Sequence, residues 1–99
     1  MQIDATDAPD RTTGSIYTFQ AADLAARDAA LNPPGTWNTY ELRVEGQRLR
    51  VFLNGVLIND FTNTDPARQL DGYIGLQNHG SGDQAAIRNV RIAKLRPPR

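Results

Sequence analysis

The clearest pattern in this chain is a strict alternation over residues 39–53. Tyr40, Leu42 and Val44 alternate with Thr39, Glu41, Arg43 and Glu45. After Gly46-Gln47, Leu49, Val51 and Leu53 alternate with Arg48, Arg50 and Phe52. A period of two places one set on a buried face and the other toward water, so two antiparallel strands joined by a tight turn are expected. Asn54-Gly55 follows at once. Both residue types tolerate positive φ, which a two-residue type I′ hairpin demands, so Val56–Phe61 is expected to return as the next strand.

The remaining chain is punctuated rather than periodic. Gln2-Ile3-Asp4 resembles the end of a strand, Asp7–Thr13 a polar loop with Pro9, and Ser15–Phe19 another strand. The alanine-rich stretch 21–31 breaks the β pattern and reads as a long loop or short helix, stopped by Asn32-Pro33-Pro34-Gly35. Gly72–Asn78 and Ala85–Leu95 complete the expected strands, with Pro97-Pro98 closing the last. Antiparallel hairpins with little helix predict an all-β fold, a sandwich or barrel, in one domain over residues 1–99.

Composition narrows the partners. Eleven basic and eleven acidic residues balance to a formal charge of zero, which argues against nucleic acid or an anionic membrane as partner. The cluster Lys94, Arg96 and Arg99 reads as a solvated tail. With no cysteine and one histidine, a zinc cage is excluded, and no cofactor is expected. Calcium would need oxygens to converge from Asp60, Asp65, Asp71 and Asp83, which turn chemistry explains equally well. No run is apolar enough to span a membrane, and Met1-Gln2-Ile3-Asp4 has no signal-peptide character.

The candidate chemistry lies in Gly72-Tyr73-Ile74-Gly75-Leu76-Gln77-Asn78-His79-Gly80. In an extended strand, Tyr73, Gly75, Gln77 and His79 share one face, opposite Ile74, Leu76 and Asn78. A ring, a bare backbone, an amide and an imidazole suit a saccharide: stacking for the sugar ring, neutral groups for its hydroxyls, close approach at glycine. Each residue also has a plainer reading. His79 is a base, a hydrogen-bond donor or a strand cap; Gln77 a sugar contact or a wet strand residue; Tyr73 a platform or a half-buried aromatic. Tyr17 is a second stacking candidate. Asp4 reads as a carboxylate base or a solvated turn residue, with Arg11 the other polar candidate near the chain start. Trp37 reads as a packing anchor rather than a platform. Two acids on one strand face, the arrangement of ordinary retaining glycosidases with carboxyls about 5–5.5 Å apart, are not found: Glu41 is followed two residues on by Arg43.

Three segments in order resemble one family. They are Gly35-Thr36-Trp37-Asn38-Thr39-Tyr40-Glu41, Leu53-Asn54-Gly55, and the Gly72–Gly80 stretch with Ile87-Arg88-Asn89-Val90-Arg91-Ile92 behind it. Together they look like the C-terminal half of the 3-keto-disaccharide hydrolase family, once a domain of unknown function. The resemblance implies a concanavalin A-like lectin/glucanase jelly roll. It also implies cleavage of a 3-keto glycoside by one base, with His79 and Asp4 as catalytic candidates and Gln77, Tyr73, Tyr17 and Arg11 as sugar-binding ones. A non-catalytic, laminin-G-like carbohydrate-binding module and a truncated structural remnant are the alternatives. Family domains are longer, so apolar strand faces lacking a covering sheet, and self-association or a longer parent chain, are expected. The compartment is open, with the resemblance favouring secretion or the periplasm.

Overall fold

The computed structural model describes residues 1, 13–16, 19–65, 75 and 86–95. The chain divides into two units, Met1–Arg68 and Gln69–Arg99. The first contains helix α1 (Leu24–Ala30) and strands β1 (Tyr40–Glu45), β2 (Arg48–Leu53) and β3 (Val56–Thr62). The strands form one open antiparallel sheet in the order β1-β2-β3.

The hairpins follow from local chemistry. Asn54 and Gly55 both have positive φ, 49° and 85°, as the type I′ turn requires. Tyr40 pairs with Leu53, Leu42 with Val51 and Val44 with Leu49, so the apolar sets of β1 and β2 share a face. Between β2 and β3 the register shifts at Val51/Phe52. Asn59 opposes Val51 and Leu57 opposes Phe52, leaving Ile58 as the extra residue of a bulge. Ile58 and Asn59, adjacent in sequence, are consequently both buried.

Helix α1 resolves the alanine-rich stretch. Asp23 caps it, its side chain accepting from the Ala26 amide at 3.1 Å. Ala22, Ala26 and Ala30 recur every fourth residue and turn a small-residue stripe to the sheet. Ala22 joins Val51, Leu53 and Ile58 in the core, with Ile16, Ala26, Ala30 and Tyr40 packed around them. That spacing is a signal for helix, and it settles the loop-or-helix alternative.

Two expectations differ from what is observed. A straight strand over Ser15–Phe19 does not form: the Ile16 carbonyl accepts from the amides of both Phe19 and Gln20, at 2.8 and 3.0 Å, so the chain reverses there. Ile16 and Gln20 make only an isolated bridge. Residues 86–95 of the second unit carry no strand and are exposed, with Asn89 at φ 55° interrupting any extended run. The apolar face of β1 is not uniformly covered, in keeping with the expectation of a strand face that lacks a covering sheet. Tyr40 is half-buried, but Leu42 and Val44 are 49% and 59% exposed.

Candidate functional site

Asn59 organises the apolar side of the first unit. Its Nδ2 donates to the carbonyls of Gly14 at 3.0 Å and Gln20 at 3.3 Å. Its Oδ1 accepts from Gln20 Nε2 at 2.6 Å, and the same Nε2 reaches the Asp60 carbonyl at 2.9 Å. An amide can satisfy backbone donors and acceptors at once. The segment carrying Gly14, Ile16 and Gln20 is thereby tied to β3. Gly14, at φ 85°, sits so close that an added Cβ would lie 2.5 Å from Ile58 Cδ1.

Asn54 performs the matching task at the other end. Its backbone amide donates to the Thr39 carbonyl and its Oδ1 accepts from the Thr39 amide, both at 2.8 Å. Its Nδ2 donates to the Ala30 carbonyl at 2.7 Å and to Asn38 Oδ1 at 2.9 Å. Helix end, loop and hairpin turn thus meet on one side chain. Trp37, in that loop, is 47% exposed and contributes its carbonyl to Asn32 Nδ2 at 2.9 Å. Its backbone is tied into the loop, and the residue is half-exposed.

The opposite face of the sheet is charged. Arg48 grips Asp60 through Nε at 2.9 Å and Nη2 at 2.6 Å, a bidentate pair. Arg50 pairs with Glu45, and Arg43 with Glu41 at 3.2 Å. Arg43 and Arg50 stand opposite each other in the register, and their separate carboxylates relieve that like-charge contact. The hydrogen bond from Arg48 holds the Asp60 carboxyl below its usual range, and Asp60 in turn raises the guanidinium. On the other side, burial pushes the Tyr40 phenol up, opposed by a hydrogen bond with Thr13 and the charge of Arg27.

Among the described residues of the sheet, Phe52 is the aromatic on this charged face. The Arg43 guanidinium lies over its ring at 5.6 Å from the centroid, within cation–π range. Thr39, Glu41, Phe52 and Gly55 line an open depression of about 330 Å³. A second depression, of about 250 Å³, runs along the β3 edge between Gln20, Asp23 and Ile58–Asp60. Sequence reasoning passed over the first one, although the signal was present: Phe52 falls in phase with Arg48 and Arg50 rather than with Leu49, Val51 and Leu53.

His79, Gln77, Tyr73, Tyr17, Asp4 and Arg11 lie outside the described residues. From the Gly72–Gly80 stretch, Gly75 is described: it is exposed, with no atom within 4 Å of the place an added Cβ would take. Of the aspartates considered for calcium, Asp60 is committed to Arg48, while Asp71 and Asp83 are outside the described residues. Among the described residues no three His, Cys, Asp or Glu side chains converge as metal ligands, and no helix is long and apolar enough to cross a membrane.

A family model described as the 3-keto-alpha-glucoside-1,2-lyase-like domain matches residues 1–93. The chain belongs to this family. The match includes all four elements of the first unit and continues through the Gly72–Gly80 stretch to the Ile87–Ile92 segment. Comparison with curated proteins and with solved structures gives no match.

Proposed function

We propose that this 3-keto-alpha-glucoside-1,2-lyase-like domain cleaves the glycosidic bond of a 3-keto sugar by elimination followed by hydration. The observation that carries the reading is the family match over residues 1–93, which contains every candidate site residue. A ketone at carbon 3 acidifies the hydrogen at carbon 2. One base removes that proton, the electron pair forms the carbon 1–carbon 2 double bond, and the glycosidic oxygen leaves with a proton from solvent. Water then adds to the enone and yields the free 3-keto sugar. The route needs one positioned base and a donor for the enolate oxygen, with no pair of carboxylates.

His79 is assigned as that base or as the enolate donor, with Asp4 the carboxylate alternative. Gln77 and Arg11 orient hydroxyls, and Tyr73 and Tyr17 supply rings for the sugar. The open three-stranded sheet is taken as part of a concanavalin A-like sandwich, which the half-exposed Leu42 and Val44 support: an apolar strand face ordinarily packs against a second layer. The test is incubation with a 3-keto-glucoside and an assay for released reducing sugar. Release by the wild-type chain and its loss in His79→Ala supports the reading. Saturable glycan binding without release reassigns the chain as a carbohydrate-binding module.

A further inference from the structure

The depression beside Phe52 is lined, among the described residues, by Thr39, Glu41, Phe52 and Gly55 of the first unit. Its geometry comes from strand register. Thr39, Glu41 and Arg43 lie two apart along β1 and its approach, so they share a face. Glu41 stands directly across from Phe52, and Leu57 flanks that ring from β3. Leu57 is itself 44% exposed, so the ring has an exposed apolar neighbour on one side and the Glu41–Arg43 pair on the other. At the hairpin tip Gly55 contributes bare backbone: no atom lies within 4 Å of an added Cβ.

The chemistry points to a neutral ligand. Glu41 alone would attract a cation, but Arg43 sits 3.2 Å from its carboxylate and also over the Phe52 ring. A cation meets the guanidinium, and an anion meets the carboxylate. An uncharged polyol suits both. Its hydroxyls donate to Glu41, exchange hydrogen bonds with Thr39 and accept from Arg43, while its C–H surface lies on the phenyl ring. The volume, about 330 Å³, is at the small end for ligand pockets and suits one sugar ring rather than a chain.

We infer that Phe52, Glu41, Thr39 and Gly55 form a saccharide subsite on the charged face of the sheet. The choice of a sugar among neutral polyols rests on the proposed function; the position and the neutral character rest on the geometry alone. A ring bound here holds one unit of a glycoside, or a neighbouring glycan, on the domain.

The test uses methyl α-glucoside and maltose, which lack the ketone and so are not cleaved by the elimination route. Titration of the full-length chain is followed by amide NMR. The expected result is a saturable shift of the Thr39, Glu41, Phe52 and Gly55 amides, with affinity reduced about tenfold or more in Phe52→Ala, a loss of the size expected for an aromatic contact. Glu41→Gln is a second variant at an exposed position, expected to weaken binding several-fold with the sheet intact. Absence of saturable shifts at those amides, or unchanged affinity in both Phe52→Ala and Glu41→Gln, overturns the inference. Binding here without cleavage of a 3-keto-glucoside overturns the proposed reaction and leaves the subsite standing; cleavage without these shifts does the reverse.

Discussion

Gln20 Nε2 donates to Asn59 Oδ1 at 2.6 Å across 39 residues of sequence. This contact joins the reversal that begins the described chain to the bulged strand β3. Asn59 is only 5% exposed, so its partners lie where water does not substitute freely. In Asn59→Ala the Gly14 and Gln20 carbonyls lose their side-chain donor. We expect a loss of about 2–4 kcal/mol in urea or thermal unfolding, the range for breaking a buried polar network. A change within about 0.5 kcal/mol, the size of an ordinary surface substitution, would show that the bracket is dispensable.

Gly14 and Gly55 share φ 85° but not surroundings. Alanine at Gly55 meets open space and suffers only the left-handed backbone penalty, about 1–2 kcal/mol. Alanine at Gly14 suffers the same penalty and also drives a methyl to 2.5 Å from Ile58 Cδ1 and 3.2 Å from Ala22 Cβ, in the core. Gly14→Ala is therefore expected to destabilise by at least about 1 kcal/mol more than Gly55→Ala. Equal losses by chemical denaturation would refute the close approach.

Ser15 is fully buried, and its Oγ has no hydrogen-bond partner. An unpaired buried hydroxyl costs desolvation and returns nothing. Ser15→Ala is expected to leave stability unchanged or raise it by up to about 1 kcal/mol. A clear loss in the unfolding midpoint would reveal a hydrogen bond at that oxygen.

Acid should weaken the sheet through Asp60. Its folded-state pKa is lowered, first by the hydrogen bond from Arg48. The stabilisation is therefore present above the ordinary carboxylate range and lost as pH falls through the lowered value. Asp60→Asn removes that dependence. Unfolding midpoints across the acid range should fall less steeply in the variant, and parallel curves would rule the pair out as a pH-sensitive contact.

His79→Ala should reduce cleavage of a 3-keto-glucoside about a hundred- to ten-thousand-fold, the usual contribution of a positioned base. Circular dichroism should remain that of the wild type, since the substitution is aimed at chemistry. Wild-type turnover in this variant would transfer the base role to Asp4.

The β1–β2–β3 meander was legible because each piece is local. Alternation over Tyr40–Leu53 specifies two strands, and Asn54-Gly55 specifies the turn, without help from distant residues. The candidate site was legible only as residue types on an expected strand face. Phe52, an aromatic in phase with arginines, reads as part of a wet face until register places Glu41 opposite it and Gly55 beside it. Isoleucine, tyrosine and phenylalanine favour a strand over Ser15–Phe19; the bonds to the Ile16 carbonyl prevail and turn the chain.

What the sequence determined by itself is what short-range sterics and periodicity control: the hairpins and membership in the family. Tertiary structure alone decided the bulge at Ile58, the burial of Asn59, the docking of the alanine stripe and the exposure of Leu42 and Val44. Those features depend on groups tens of residues apart meeting in space, and pairwise burial and hydrogen bonding of that kind leave no periodic trace along the chain.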